Sequence, residues 1–453
     1  MKKRLLFIAV LFLTGVTIFS SAQQAVVPAT ALQHYIHNGD PAGGWEVRDS
    51  YTIEDVRIYS ILLISQKWQG ILWKHELVVC VPKEVDKDGA LLFITGSSVN
   101  DGMPRIAKKD DEMSTIMAAI AAKNKAVIAI LRQVPNQPLY NGLTEDALIS
   151  YTLNEFKKGG DYSWPLLFPM VKSALKAMDA VQEFAPEYAG REIAGFVVSG
   201  ASKRGWTTWL TGASKDPRVW AIAPMVIDML NMPATLDYQK ELYGEYSEEI
   251  QDYVKLEIPQ AVHSEFGNAI VSMIDPYSYR KDLAMPKLIF MGTNDPYWTV
   301  DAVKHYLDGI PGQNYLHYVP NAGHGLGDKI QAMTALNSFL ALTLAKAPYP
   351  TYSWELAEKG KKIRLTVHAS PKELVKASLW TAQSDSRDFR EAKWTATDIP
   401  SSAGKPVVEA ALNYPAKGYQ AFYVQLTYED INGDEYALCT RVYVADKKQV
   451  FVK

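Results

Sequence analysis

Two cysteines in 453 residues, Cys80 and Cys439, are too few for a disulfide framework. They fall in strand-like segments of different parts of the chain. A single bridge would need an oxidising compartment, and two buried thiols are the expectation. Neither cysteine reads as a metal ligand or a nucleophile. Histidine is sparse at eight residues. No cluster with metal-ligand spacing and no nucleotide-binding motif is visible, so no metal and no cofactor are implied. Charge of one sign is missing too: the formal net charge is −3, which gives no support to nucleic-acid binding. Internal repeats and low-complexity tracts are absent. One apolar run stands out. Leu5 to Phe19 follows the basic Lys2-Lys3-Arg4 and precedes Ser20-Ser21-Ala22. It is too short for a comfortable transmembrane span, and small residues sit where a signal peptidase needs them. Residues 1–22 therefore read as a signal peptide cut after Ala22, leaving a secreted or periplasmic protein with no transmembrane anchor after cleavage. No cysteine follows the run, which argues against a lipoprotein anchor.

What remains is the composition of a soluble globular protein, 48% hydrophobic and 21% charged, long enough for a large enzymatic domain and a smaller one. Its most informative stretch is Ile193 to Leu210. An apolar run, Ile193 to Val198, enters the turn Ser199-Gly200-Ala201-Ser202-Lys203-Arg204-Gly205, and a helix-like segment follows. Strand, sharp turn and helix in that order describe a nucleophile elbow. The turn forces the serine into a strained conformation, which small neighbours at Gly200, Ala201 and Gly205 relieve. It also sets the hydroxyl at a helix N-terminus, where partial positive charge favours a developing anion. The usual spacing is Gly-x-Ser-x-Gly; here the second glycine comes one position late.

Two later segments complete a pattern. Met285 to Asp295 reads as a buried strand ending in a loop tipped by an acid, and Tyr315 to Gly325 as a strand followed by a loop holding His324. The chain order Ser202, Asp295, His324 is that of an α/β-hydrolase. The chemistry requires these types: histidine takes the proton of a poorly nucleophilic hydroxyl, and the carboxylate fixes the imidazole tautomer. Asp301 is the rival acid, and reads equally as the N-cap of a short helix. An oxyanion hole needs two backbone N–H groups. Lys203, directly after the serine, supplies one, and the turn at Gly96 or Ser97, after the strand ending at Thr95, the other. The side chains of Lys203 and Arg204 either stabilise the oxyanion, attract an acidic substrate or end in surface ion pairs. Trp164, Arg204 and Trp298 are the expected substrate contacts.

The architecture expected is α/β: a mostly parallel central sheet over residues 23–346, opened by antiparallel strands, with a cap inserted at about 230–280. The cap segment is acidic and tyrosine-rich. Its Glu241, Glu245, Glu248 and Glu249 suggest attraction for a cationic group such as a peptide amine, or simply a solvated helix. After the proline-rich Ala347 to Pro350, residues 350–453 carry short alternating strands and the hairpin signal Ile431-Asn432-Gly433-Asp434. They read as a small C-terminal β-sandwich of immunoglobulin-like shape. Trp380 and Trp394 are its candidate sugar platforms, with core burial the better expectation.

The run Gly195 to Leu210 resembles the PhoPQ-activated pathogenicity-related proteins. So do Trp164 with Pro169-Met170, Ala177 to Val181, Asp275 to Tyr279, Met285-Pro286-Lys287 and Val319 to Leu326, and Ser65 to Trp68 with Trp73-Lys74-His75. The resemblance implies an extracytoplasmic α/β-hydrolase with Ser202, Asp295 and His324 at the triad positions. It supplies no substrate. At the acid, Gly292-Thr293-Asn294-Asp295-Pro296-Tyr297 stands where a Gly-Asp-Glu-Phe-Phe turn is expected. The partner implied is a peptide or ester substrate. Three functions follow: a serine hydrolase with peptidase-like action, a carbohydrate esterase of glucuronoyl-esterase type, whose turn looks similar, or a non-catalytic binding protein on a hydrolase scaffold.

Overall fold

The computed structural model describes residues 25–400 and 402–453; the segment read as a signal peptide lies outside them. The chain opens with helix α1 (Pro28–Ile36) and three antiparallel strands, β1 (Gly44–Ile53), β2 (Val56–Trp68) and β3 (Ile71–Pro82). Strand β4 (Gly89–Ile94) follows, then a two-stranded ribbon of β5 (Val99–Asn100) and β6 (Met103–Pro104). Next come α2 (Glu112–Asn124), β7 (Val127–Leu131), α3 (Glu145–Gly159), α4 (Leu167–Tyr188), β8 (Gly195–Ala201), α5 (Lys203–Gly212) and β9 (Val219–Met225). After an insertion, β10 (Lys287–Gly292) and β11 (Asn314–Val319) close the parallel part, and α9 (Ile330–Leu344) covers it. The sheet order is β1-β2-β3-β7-β4-β8-β9-β10-β11, parallel from β7 onward. This is the α/β-hydrolase arrangement.

Every residue of β4, β7 and β10 is buried, because helices cover both faces of a parallel sheet. The two-residue period of a strand sorts these side chains into two cores. Leu92 and Ile94 join the core under α4 and α5, whereas Leu91 and Phe93 join the core under α2 and α9. The insertion between β9 and β10 carries α6 (Met232–Tyr243), α7 (Gln251–Val254) and α8 (Glu265–Ile274), ending in a 3₁₀ turn at Pro276–Asp282.

Among the described residues eight strands follow α9. β12 (Tyr352–Lys359), β13 (Lys362–Ala369) and β16 (Val407–Asn413) form one sheet. β14 (Leu374–Ser384), β15 (Thr395–Asp398), β17 (Tyr419–Glu429), β18 (Glu435–Cys439) and β19 (Tyr443–Ala445) form the other. The second sheet does not stand apart. β18 pairs with β11 at Leu316 and Cys439, so the central sheet runs on into the C-terminal sandwich. Cys80 and Cys439 are both free and buried. Trp394 is buried in the core, and Trp380 stacks on Tyr423 while its indole N–H donates to Gln425.

Candidate active site

Ser202 sits between β8 and α5 with φ +58° and ψ −128°, a conformation that costs an L-residue energy and persists only where the surroundings enforce it. Its N–H donates to the carbonyl of Met225 at the end of β9 (2.9 Å). The two glycines make the turn possible. A Cβ at Gly200 would meet the Ile94 carbonyl at 2.8 Å, and one at Gly205 would meet the Met225 carbonyl at 2.5 Å. The late second glycine is therefore the point where the first turn of α5 crosses the end of β9.

His324 reaches the serine from the loop after β11. Its Nε2 lies 2.8 Å from Ser202 Oγ. On the other side of the ring Nδ1 lies 2.9 Å and 3.1 Å from the two carboxylate oxygens of Asp295, on the loop after β10. A carboxylate only accepts, so Nδ1 carries the proton and Nε2 is free to accept from the serine. Asp295 is fixed by the N–H of Tyr297, which donates to Oδ1 (2.9 Å), and the Tyr297 ring stacks on His324 with centroids 4.1 Å apart. Asp301 is elsewhere: buried, it pairs with Lys304 (2.9 Å) and accepts from the Tyr238 hydroxyl (3.0 Å).

Lys203 begins α5, and its N–H is one of those left without an acceptor inside the helix. Gly96, in the turn after β4, packs flat against the Arg204 guanidinium; a side chain there would collide with Nη2. Ser97 follows it in that turn.

Two of the expected substrate contacts, Arg204 and Trp164, are placed elsewhere, and Lys203 ends in ion pairs. Arg204 is not a substrate contact. It is buried, donates to the Val134 carbonyl (2.5 Å), and forms a two-pronged pair with Glu145 (2.7 Å to each oxygen). The Lys203 ammonium is likewise taken up, by Glu145 (3.0 Å) and Asp146 (3.1 Å). Burial works against the charge of Glu145, yet the two cations hold its carboxyl down at about 2. Two cations against two carboxylates leave no surplus charge to attract an acidic substrate. Trp164 belongs to an aromatic cluster with Trp68, Tyr140 and Tyr151 and does not line the cavity beside Ser202.

That cavity holds about 70 Å³ and is bounded by α5, the β9 loop and the cap. Trp206, Met229, Leu236, Ile258, Ile270 and Trp298 give it an apolar wall. Asp146, Lys203, Tyr253 and Tyr297 bring polar groups to it, and Tyr253 donates its hydroxyl to Asp146 (3.0 Å). The cap thus roofs the site, but its acidic cluster does not face it. Glu241, Glu245, Glu248 and Glu249 are exposed, and Glu241 pairs with Arg387 of the C-terminal sandwich. Composition revealed the glutamates; it carried no sign of Asp146 and Tyr253, which lie on separate helices. Tyr297, two residues beyond the acid, was the local signal available. Among the described residues no group of three or more His, Cys, Asp or Glu is placed to hold a metal ion.

A family model described as PhoPQ-activated pathogenicity-related protein matches residues 32–390. The chain belongs to this family. The PhoPQ-related chain is also 31% identical to autocrine proliferation repressor protein A of Dictyostelium discoideum, over 91% of its own length and 90% of that protein's. Among solved structures it is similar to acetyl xylan esterase 1 from Thermoanaerobacterium (16% identity, 70% of this chain and 92% of that one, TM-score 0.47). It is also similar to an S-formylglutathione hydrolase from Agrobacterium tumefaciens (11% identity, 67% and 100%, TM-score 0.44).

Proposed function

We propose that this protein is a secreted serine hydrolase that cleaves a carboxylic ester or amide with an apolar group beside the scissile bond. The observation that carries the reading is the continuous chain of contacts from Ser202 Oγ through His324 to Asp295 at the wall of an apolar cavity. His324 takes the Ser202 proton as the hydroxyl attacks the carbonyl carbon. Asp295 stabilises the resulting imidazolium, and the Lys203 N–H at the head of α5 meets the oxyanion. The imidazolium then protonates the leaving group, and water releases the acyl group from Ser202 by the same steps reversed. The apolar run near the N-terminus supports secretion, and among the described residues no helix is long and apolar enough to cross a membrane.

The test is a fluorophosphonate probe on the purified protein, followed by nitrophenyl esters of rising acyl length and aminoacyl-nitroanilides. One label at Ser202 is expected, with kcat/KM rising along the apolar series and lower for acyl groups that end in a carboxylate. Ile270→Trp fills the cavity and should cut kcat/KM for the longest ester about 10-fold or more while sparing the acetyl ester. Absence of labelling, or preference for the charged acyl group, overturns the reading.

A further inference from the structure

The connection between β14 and β15, residues 385–394, leaves the C-terminal sandwich and ends against the two loops that carry Asp295 and His324. Asn294, directly before the acid, donates through Nδ2 to the carbonyls of Ala392 (2.7 Å), Arg390 (3.0 Å) and Phe389 (3.3 Å). Asn321, shortly before His324, donates to the Trp394 carbonyl (3.0 Å) and accepts from the Trp394 N–H (2.7 Å). The two loops are also bound to each other. The Asn321 N–H donates to Thr293 Oγ1 (2.8 Å) and the Asn294 N–H donates to the Ala322 carbonyl (2.9 Å); within the acid loop the Thr293 hydroxyl donates to Asn294 Oδ1 (2.8 Å). At Gly292 the backbones come so close that a Cβ would collide with the Ala322 carbonyl.

The connection is itself anchored. Phe389 and Trp394 are buried, and Trp394 packs on Tyr423 of β17. On its outer side Arg387 pairs with Glu241, and the Arg390 guanidinium lies 4.1 Å from the Tyr243 ring centre, both on α6. Loops at strand ends are ordinarily the most mobile parts of a fold, whereas proton transfer between three side chains tolerates little displacement. Here two asparagines fasten the acid loop and the base loop to the packed C-terminal sandwich.

Resting on the hydrolase reading above, we propose that residues 385–394 hold the Asp295 and His324 loops in register, so that the C-terminal sandwich is part of the catalytic framework. Asn294 and Asn321 are its positioning residues. The observations do not call for the sandwich to bind substrate.

The experiment compares the full-length protein with Asn294→Ala and Asn321→Ala, each checked for native circular dichroism. Two readouts are taken: saturation kinetics of fluorophosphonate inactivation, and the far-downfield proton resonance of the His324 Nδ1–H bond to Asp295. A positioning role lowers the limiting inactivation rate about 10- to 100-fold. It leaves the half-saturating probe concentration within about two-fold, since neither asparagine lines the cavity, and it shifts or broadens the resonance. A limiting rate and a resonance unchanged from wild type in folded variants overturn the proposal. Should Asn294→Ala not fold, Asn321→Ala, which loses two side-chain hydrogen bonds rather than four, decides alone. Failure of the wild type to label at Ser202 instead overturns the hydrolase reading, and is seen before any variant is made.

Discussion

Ser65 and His75 form a pair of nearly the same geometry as Ser202 and His324. Ser202 Oγ lies 2.8 Å from His324 Nε2, and Ser65 Oγ lies 2.9 Å from His75 Nε2. The first bridges the ends of strands at the cavity wall. The second is sealed between β2, β3 and α4, with Ser65, Gln66, His75 and Ser173 all at 0% exposure. Ser65 lies in the register shift of β2 between Ile64 and Gln66, where a bulge re-aims the side chain. The decisive difference is on the far side of each ring. His324 Nδ1 faces a carboxylate; His75 Nδ1 donates to the backbone carbonyl of Arg132 (2.9 Å). A carbonyl fixes a tautomer but stabilises an imidazolium poorly, and burial pushes the His75 ring down to about 4. Ser65 also lacks a helix N-terminus and any path for a substrate. Proximity of serine and histidine is therefore insufficient. The carboxylate, the helix end and the cavity make one pair a candidate site and leave the other a buried polar clamp.

The sharpest way to break this contrast is to delete each serine. Ser202→Ala should remove fluorophosphonate labelling and lower kcat at least ~10⁴-fold without unfolding the protein. Ser65→Ala should leave labelling intact and cost about 1–3 kcal/mol in denaturant unfolding, because it withdraws a hydrogen-bond partner from the buried His75, Gln66 and Ser173. Labelling lost with Ser65→Ala and kept with Ser202→Ala would invert the assignment.

The second prediction separates the two acids. Asp295→Asn should lower kcat ~10⁴-fold by favouring the wrong imidazole tautomer, with little change in stability. Asp301→Asn should spare kcat within a few-fold but destabilise the fold by about 3 kcal/mol, because it leaves the buried Lys304 ammonium without its carboxylate. Urea midpoints and steady-state kinetics on the two variants read both effects. A silent Asp295→Asn would return the acid role to its rival.

The third and smallest effect is on pH. His75 is neutral when folded, with its pKa depressed from 6.5 to about 4, so unfolding takes up a proton between those values. Its contribution to stability is complete above pH 6.5 and is lost as pH falls toward 4. Burial depresses His317 to about 4 in the same way, so His75→Gln should flatten the acid loss of stability without abolishing it. Urea titrations at pH 4.5 and 7 measure the flattening. An unchanged slope would mean that the His75 ring is not buried neutral.

Much of this was legible because it rests on local patterns. Apolar runs at β4, β7, β8 and β10 announced a parallel sheet, since strands covered on both faces need no polar alternation. Ser202, Asp295 and His324 could be named from chain order, because each follows a strand that ends on the same edge. The Asp301 ambiguity was real in one dimension: both acids lie just after β10, and only the fold turns one toward His324.

The rest depended on charges and backbones brought together from far apart in the chain. Whether Lys203 and Arg204 were free cations or ended in ion pairs was open until Glu145 and Asp146, on α3, arrived to neutralise them. The cap glutamates read either as an amine clamp or as a solvated helix until the helices turned Met232, Leu236 and Ile270 inward and left the acids in water. The C-terminal strands read as a separate module, yet β18 joins β11 and residues 389–394 fasten the loops of Asp295 and His324. Sequence by itself determined the residue types and the strand order, because periodicity and turn chemistry are written in neighbours. Only tertiary structure decided which charges are spent, which serine has a carboxylate behind its histidine, and what holds the loops. Those outcomes depend on distances between residues that no spacing in the chain encodes.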